Sequence, residues 1–227
     1  MPLPIVAVPG IREDTATWAA ALAPLDRAVL VLANRGDTIA AMAQSLLARA
    51  PRRFVLLGHS LGGYVALQAA LAAPDRIGAL ALVSTSARPE TAEARAGRAA
   101  LVETARDDFA GVIARLARAA VAREHRARLV PQVQAMMLAG GFTRFAREQH
   151  AAASRAAAAE RLGELACPAL VVTGPEDLIV PPAASRELAS AVTGARLAEL
   201  PGCGHMPHLE APDDFAATLR DWLPTSA

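Results

Sequence analysis

The stretch that decides the fold is Phe54-Val55-Leu56-Leu57-Gly58-His59-Ser60-Leu61-Gly62-Gly63. A short apolar run passes into Gly-x-Ser-x-Gly, and an Ala- and Leu-rich helical pattern follows. This order of strand, sharp turn and helix is typical of a nucleophile elbow, in which the serine hydroxyl stands clear of the sheet. Gly58 and Gly62 flank Ser60 because side chains there would collide across so tight a turn. The motif therefore predicts a nucleophilic Ser60; the alternative is a strand-to-helix turn with a capping serine.

The composition narrows the class of protein. The chain has 227 residues, of which 53% are hydrophobic, so we expect one globular domain with a substantial core. The formal net charge is +1, which gives no long-range field to attract nucleic acid or an acidic partner. All 23 basic residues are Arg, and the absence of lysine excludes Schiff-base chemistry on a lysine amine.

The N-terminus and the cysteine content bear on location. Residues 1–6 contain no basic region and their apolar run is interrupted by proline, so they predict neither a signal peptide nor a membrane span. Two cysteines, Cys167 and Cys203, make no disulfide framework, which fits a reducing compartment. We therefore expect a cytoplasmic protein with neither a membrane nor a nucleic-acid partner.

Six short runs of β-branched or leucine-rich sequence alternate with helical patterns. Nearly continuous apolar strands alternating with helices predict the α/β class, with a mostly parallel sheet covered on both faces. The predicted strands lie near residues 4–8, 28–32, 53–57, 79–84, 169–173 and 195–200. The predicted helices lie near residues 17–23, 38–50, 61–73, 182–192 and 212–222.

The alternation stops between about residues 87 and 165. This segment is dense in Ala and Arg and poor in β-branched residues, which predicts several helices. Helices inserted above the strand ends would cover the place where open parallel sheets bind ligands. We therefore predict a single domain over residues 1–227 with a helical cap insertion at about 87–165. The alternative is a set of packing helices with no role in binding.

A serine nucleophile needs a base to take its proton and an acid to orient that base. On a sheet of this kind the three follow in the order Ser, acid, His. Asp177 comes after the strand near residues 169–173, and His205 lies in a glycine-rich loop after the last predicted strand. Glu176 competes with Asp177 for the role of acid, and His208 competes with His205 for the role of base.

Two other patterns need an interpretation. His59 lies inside the elbow, where we expect it to pack or to form local hydrogen bonds. The pattern Cys203-x-His205-x-x-His208-x-Glu210 resembles a set of metal ligands, but its spacing is unusual for zinc and no second cluster completes a site. We therefore predict no metal site and no cofactor.

Four stretches resemble the α/β-hydrolase superfamily, and in particular small bacterial carboxylesterases of the pimeloyl-ester hydrolase kind. They are VAVPGI at residues 6–11, LLGHSLGGYVALQAALAAPDRI at 56–77, LVVTGPEDLIVPP at 170–182 and PGCGHMPHLEAPDDF at 201–215. Together they cover most of the chain outside the predicted cap. The resemblance implies that Ser60 is the nucleophile, Asp177 the orienting acid and His205 the general base.

The resemblance also implies an oxyanion hole made by the backbone N–H groups of Leu61 and Ile11. The family's usual His-Gly after the first strand is Pro9-Gly10 here. A backbone N–H survives this change of side chain, so the assignment of Ile11 stands. We expect six strands rather than eight, without the N-terminal hairpin that is usual in the family.

Together these features predict a serine hydrolase that cleaves carboxylic esters through an acyl-enzyme on Ser60. The Met and Phe side chains of the predicted cap suggest a small-molecule ester of small or medium size with an apolar group. Two alternatives stay open. The same triad could carry out perhydrolysis, acyl transfer or carbon–carbon bond hydrolysis, or the fold could be a non-catalytic ligand-binding module.

Overall fold

The computed structural model describes residues 2–223, and its core is one parallel sheet of six strands in the order β2-β1-β3-β4-β5-β6. The strands are β1 Ile5–Val8, β2 Val29–Val31, β3 Phe54–His59, β4 Ile77–Val83, β5 Ala169–Thr173 and β6 Arg196–Glu199. The helices are α1 Thr15–Leu22, α2 Ile39–Arg49, α3 Leu61–Ala72, α4 Ala92–Asp107, α5 Phe109–Ala120, α6 Arg126–Ala139, α7 Gly141–Ala153, α8 Pro182–Ala191, α9 Pro207–Glu210 and α10 Pro212–Trp222. The α/β class and the six parallel strands are confirmed.

The two faces of the sheet bury two separate sets of side chains. Successive side chains of a strand point to opposite faces, so β3 sends Leu56 to one side and Leu57 to the other. Leu56 packs with residues of α2, α3 and α8, whereas Leu57 packs with residues of α1 and α10. Helices therefore cover both faces, as the continuous apolar strands predict.

The four helices α4–α7 lie between β4 and β5 in the chain and have an apolar cluster of their own. This cluster includes Val112, Val133 and Phe145, each fully buried, together with Met206 from the loop after β6. Phe109 contacts the rings of Phe142 and Phe145, so these aromatic side chains pack against one another. None of the described helices is long and apolar enough to cross a membrane.

The order of the strands places the loop after β1 beside the elbow. Strand β1 pairs with β2 on one side and with β3 on the other, and Val8 pairs with Gly58. The chain thus reverses direction across the sheet at β1, and ligands bind such sheets in the crevice at the carboxyl ends of the strands around this point. Strand β3 extends two residues beyond its predicted end, through His59, and runs directly into Ser60.

The glycines of the elbow leave no room for a side chain. A Cβ atom on Gly58 would overlap the carbonyl oxygen of Gly62, and one on Gly62 would overlap the carbonyl oxygen of Val8. Both clashes are with backbone, which cannot rotate away as a side chain can. The sequence-based explanation, a collision across the turn, is confirmed for Gly58, whereas Gly62 is required by the close approach of β1.

We expect Gly62→Ala to destabilise the fold by about 3 kcal/mol, because the added methyl group must push β1 and α3 apart. Urea unfolding followed by circular dichroism measures this change. Gly97→Ala in α4 is the matched control: apart from the neighbouring backbone of α4, no atom of residues 2–223 lies within 4 Å of the added Cβ. That variant should gain about 0.5–1 kcal/mol from helix propensity. Equal stabilities for the two variants would contradict the close approach of α3 to β1.

Candidate active site

The backbone at Ser60 is strained and held on both sides. Ser60 has φ 52° and ψ −115°, a conformation that costs a non-glycine residue about 1–3 kcal/mol. Its N–H donates to the carbonyl of Val83 at 2.9 Å, and its carbonyl accepts from the hydroxyl of Thr85 at 2.9 Å. These bonds to β4 and to the loop after it hold the turn, and Ser60 lines a cavity above the sheet.

His205 and Asp177 form a buried hydrogen-bonded pair. Nδ1 of His205 lies 2.8 Å from Oδ2 of Asp177, and Oδ1 of Asp177 accepts from the N–H groups of Ile179 and Val180 at 2.8 and 2.9 Å. Burial alone would raise the pKa of Asp177, but the charge of His205 and these hydrogen bonds outweigh it and lower that pKa. Asp177 is therefore an anion that lies at hydrogen-bond distance from Nδ1 of His205.

The loop that carries His205 is fixed by one buried carboxylate. Glu210 accepts hydrogen bonds from the N–H groups of Gly204 at 3.0 Å, Met206 at 2.9 Å and Ala122 at 2.7 Å. The N–H of His205 itself donates to the carbonyl of Ala120 at 2.9 Å. Glu210, part of the metal-like sequence pattern, thus acts as an acceptor for backbone N–H groups.

Four of the five predicted site residues line one cavity of about 680 Å³, and the fifth lies directly behind it. Ser60, His205, Ile11 and Leu61 all contribute to the wall, and Asp177 bonds to His205 from behind. Neither the N–H of Ile11 nor that of Leu61 donates a hydrogen bond to any of residues 2–223. The arrangement thus leaves two backbone donors available beside the serine.

The rival residues lie elsewhere. Glu176 is exposed, while Asp177 is buried. His208 lies outside the cavity, fully buried and stacked on Trp18 with ring centroids 4.0 Å apart. Burial raises the pKa of Cys203 to about 12, with nearby carboxylates adding to the shift, so its thiol is not ionised near neutral pH.

Sequence reasoning missed Glu13, which connects the loop after β1 to the elbow. Its Oε2 accepts from the N–H of Gly10 at 2.5 Å and from Nε1 of Trp18 at 2.8 Å. The same atom lies 3.0 Å from Nδ1 of His59, and Oε1 lies 3.3 Å from Nε2 of His208. Glu13 is thus the hub of a buried network just behind Ser60.

The partners of His59 define its charge. Nδ1 faces the carboxylate of Glu13, and Nε2 lies 2.7 Å from the carbonyl oxygen of His205. Both partners are acceptors, so both ring nitrogens must donate and the ring is an imidazolium. Burial alone would lower the pKa of His59, but Glu13 and the carbonyl of His205 raise it. Burial likewise opposes the charge on Glu13, whose pKa its histidine neighbours hold well below the usual range.

The loop after β1 is braced from further sides. Nδ2 of Asn34 donates to the carbonyl of Pro9 at 2.9 Å. Arg12 is fully buried at φ 64°; its N–H donates to Glu148 of α7 at 2.7 Å and its Nε to the carbonyl of Met137 at 2.7 Å. This loop, in which Pro9 replaces the usual histidine, is therefore held by other residues, some of them on α6 and α7.

Glu13, His59 and His208 also form a group whose possible metal-ligating atoms lie within 4.8 Å of one another. The carboxylate of Glu13 already accepts hydrogen bonds from Gly10 and Trp18. Both imidazoles lie at hydrogen-bond or ion-pair distance from it. Oε2 of Glu13 and both ring nitrogens of His59 are thus used in the network, whereas Oε1 of Glu13 and the two ring nitrogens of His208 form no hydrogen bond within residues 2–223.

The chain is similar to known hydrolases in sequence and in structure. A relative from Klebsiella pneumoniae subsp. pneumoniae, provisionally named the carbamate hydrolase RutD, is 34% identical over 199 residues, which cover 83% of this chain and 74% of the relative. The pimeloyl-(acyl-carrier protein) methyl ester esterase of Aromatoleum aromaticum is 34% identical over 207 residues, which cover 82% of this chain and 80% of the relative. A thermophilic esterase from Thermogutta terrifontis superposes with a TM-score of 0.85 at 28% identity, covering 98% of this chain and 90% of that one.

The family model covers nearly all of the described residues. Residues 5–218 match it, a range that includes the loop after β1, the elbow, helices α4–α7 and the loops that carry Asp177 and His205. The strand order, the strained serine and the buried Asp177–His205 pair agree with that match. This chain belongs to the alpha/beta hydrolase family.

Proposed function

We propose that this hydrolase cleaves carboxylic esters through an acyl-enzyme on Ser60. The observation that carries the proposal is the juxtaposition of a strained Ser60 and a His205 held by a buried carboxylate on one cavity. Family membership and the esterase relatives support ester hydrolysis in general. The two chemical steps follow from these groups.

In the first step, His205 takes the proton of Ser60 while the serine oxygen attacks the acyl carbon. The bond to the leaving alcohol breaks when His205 returns that proton to the alcohol oxygen. In the second step, His205 takes a proton from water, and the hydroxide attacks the acyl carbon. The bond from that carbon to the oxygen of Ser60 breaks as His205 returns the proton to Ser60, which releases the acid. Asp177 keeps Nδ1 of His205 protonated throughout, so that Nε2 acts as the base.

The tetrahedral oxyanion of each step would be held by the backbone N–H groups of Ile11 and Leu61. Both residues line the cavity, and both N–H groups lack a partner within residues 2–223. Removing one such donor costs comparable enzymes about 3–4 kcal/mol of transition-state stabilisation. Glu13 would support this hole indirectly by holding the N–H of Gly10.

We further propose that helices α4–α7 act as the predicted cap. They contribute Leu101, Leu116, Met137 and Gln149 to the cavity wall, which fits an acyl or alcohol group of small or medium size. Met137 is the member of the predicted Met and Phe set that lines the cavity, whereas the three Phe rings contact one another. The cytoplasmic location stays a prediction that rests on the two free cysteines.

Labelling with a fluorophosphonate tests the nucleophile directly. We expect the intact protein to gain the mass of one phosphonyl group, and peptide mapping to place it on Ser60. Ser86→Ala is the matched control, because Ser86 also lines the cavity, and it should label like the wild type. Ser60→Ala should not label. An adduct that survives in Ser60→Ala would overturn the proposal.

A product assay then separates the reactions open to this triad. The same protein is offered a p-nitrophenyl ester, an ester with hydrogen peroxide as acceptor, and a diketone. We expect the free acid from the ester to be the main product. If the protein forms peracid or cleaves the diketone faster than it hydrolyses the ester, ester hydrolysis is not its main reaction and the corresponding alternative takes its place.

A further inference from the structure

Three arginines, Arg88, Arg98 and Arg155, line the cavity. One of them has a carboxylate partner of its own, and the other two share one. Arg88 is paired with Glu187 by two hydrogen bonds of 2.8 and 2.5 Å, so its charge is matched outside the cavity. Arg98 and Arg155 share one carboxylate, that of Glu90. Arg98 and Arg155 therefore carry two positive charges against the one negative charge of Glu90. Elsewhere on the cavity wall, Glu13 is paired with His59.

The shared carboxylate is completely buried, and the two arginine side chains are partly buried. The side chain of Glu90 is 0% exposed, and those of Arg98 and Arg155 are 26% and 12% exposed. Nε of Arg98 donates to Glu90 at 2.8 Å, and its Nη1 donates to the neutral amide oxygen of Gln149 at 2.7 Å. Nη2 of Arg98 donates no hydrogen bond to any of residues 2–223.

An excess cation in a water-poor wall is costly unless an anion joins it. Burial lowers the pKa of Arg98, which is the expected sign for a guanidinium short of counter-charge. A guanidinium stays protonated in proteins, so it cannot relieve the excess by losing its proton. The planar N–H donors of a guanidinium group fit the two oxygens of a carboxylate better than the donors of any other side chain do.

Arg98, Arg155 and Ser60 line the same cavity. The guanidinium carbon of Arg155 lies 4.7 Å from the ring centroid of Tyr64, and the N–H of Tyr64 donates to the carbonyl of Ser60 at 3.3 Å. Apolar side chains, including Leu101 and Leu116, share the cavity with both groups. At about 680 Å³ the cavity is of the size that holds small-molecule ligands.

We propose that Arg98, Arg155, Glu90 and Gln149 form a subsite for a carboxylate carried by the substrate, so that the preferred esters are half-esters of dicarboxylic acids. The inference rests on the proposed function and names its substrate class. The ester group lies at Ser60, the methylene chain crosses the apolar wall, and the free carboxylate supplies the second anion at Arg98. This second anion balances the excess positive charge of Arg98 and Arg155 on the cavity wall.

The test compares monomethyl esters of dicarboxylic acids, from succinate to suberate, with methyl alkanoates of the same chain length. We expect kcat/KM of the best half-ester to exceed that of its alkanoate by about tenfold or more. Arg98→Gln should lower kcat/KM for the half-ester by about 30-fold, chiefly through KM, and leave the alkanoate within about threefold. Arg186→Gln, which removes an exposed arginine paired with Glu199 outside the cavity, should change kcat/KM for neither substrate by more than about threefold.

A second variant keeps the test decisive if Arg98→Gln fails to fold. Gln149→Glu supplies the missing anion from the protein itself and keeps every guanidinium in place. It should abolish the preference for half-esters while retaining the activity on alkanoates and the thermal stability. If the wild type prefers no half-ester, or if Gln149→Glu leaves the preference unchanged, the proposed carboxylate subsite is wrong. The proposal of ester hydrolysis is unaffected by that result. If neither substrate is hydrolysed and Ser60 takes no phosphonyl label, the proposed function fails and the subsite with it.

Discussion

Ser60→Ala and His205→Ala should each lower kcat for ester hydrolysis by about 10⁶-fold, and the double variant should be no slower than the worse single one. The serine oxygen and the imidazole act in the same proton transfer, so losing either removes the whole step. Asp177→Asn should lower kcat by about 10⁴-fold, because the Asn amide can stabilise the wrong tautomer of His205. Hydrolysis of a p-nitrophenyl ester measures all four variants.

His208→Gln is the control that separates the two histidines. His208 lies three residues after His205, but its ring is buried against Trp18 and outside the cavity. We expect its kcat to stay within about tenfold of the wild type, since no proton of the reaction passes through it. A loss in His208→Gln as large as that in His205→Ala would move the general base to His208 and overturn the triad.

The sequence-based predictions succeeded where a short motif carries the whole physical cause. Gly58 and Gly62 identify the elbow in the sequence because the atoms that a side chain there would hit are close by. They lie within a few residues of the turn or on the neighbouring strand β1. Strands such as β1 and β5 are found because each is a continuous apolar run, whereas β6 at the sheet edge has a charged residue at each end. Asp177 and His205 were chosen by their order along the chain, and they meet in the structure at 2.8 Å.

The features that were missed depend on contacts between distant parts of the chain. Glu13 follows Arg12 in a loop, and such a charged pair looks like exposed loop sequence until the fold buries both residues. The pairing of Arg98 and Arg155 with Glu90 joins residues up to 65 positions apart, in a segment where arginine is frequent. The replacement of the usual histidine by Pro9 was the one local sign that other residues must hold this loop.

Glu13→Gln should destabilise the protein by about 3–5 kcal/mol and lower kcat by about 10²-fold, with little change in KM. The neutral amide leaves the imidazolium of His59 buried without its counterion. It also weakens the acceptor that holds the N–H of Gly10, next to the predicted oxyanion donor Ile11. Urea unfolding and ester hydrolysis measure the two effects. Glu176→Gln, the same change at an exposed carboxylate, should alter neither by much.

The pH dependence of the stability difference between wild type and Glu13→Gln identifies the ion pair itself. The pKa of Glu13 is lowered from 4.5 in the fold, so its contribution is present above pH 4.5 and is lost as the pH falls through the folded pKa. The pKa of His59 is raised from 6.5, so its contribution is present below pH 6.5 and is lost as the pH rises through the folded pKa. The difference should therefore be largest between these two values.

His208 also interacts with Glu13, so its contribution is removed from this comparison by a shared substitution. Burial lowers the pKa of His208 and the charge of Glu13 opposes that shift, so His208→Gln is introduced into both proteins before their stabilities are compared. Thermal unfolding of both proteins from about pH 4 to pH 9 measures the difference in unfolding free energy. A difference that stays constant or grows toward pH 9 would mean that His59 is neutral. Glu13 would then act only as a hydrogen-bond acceptor. The assignment of a positive charge to His59, between Glu13 and the carbonyl of His205, would be wrong.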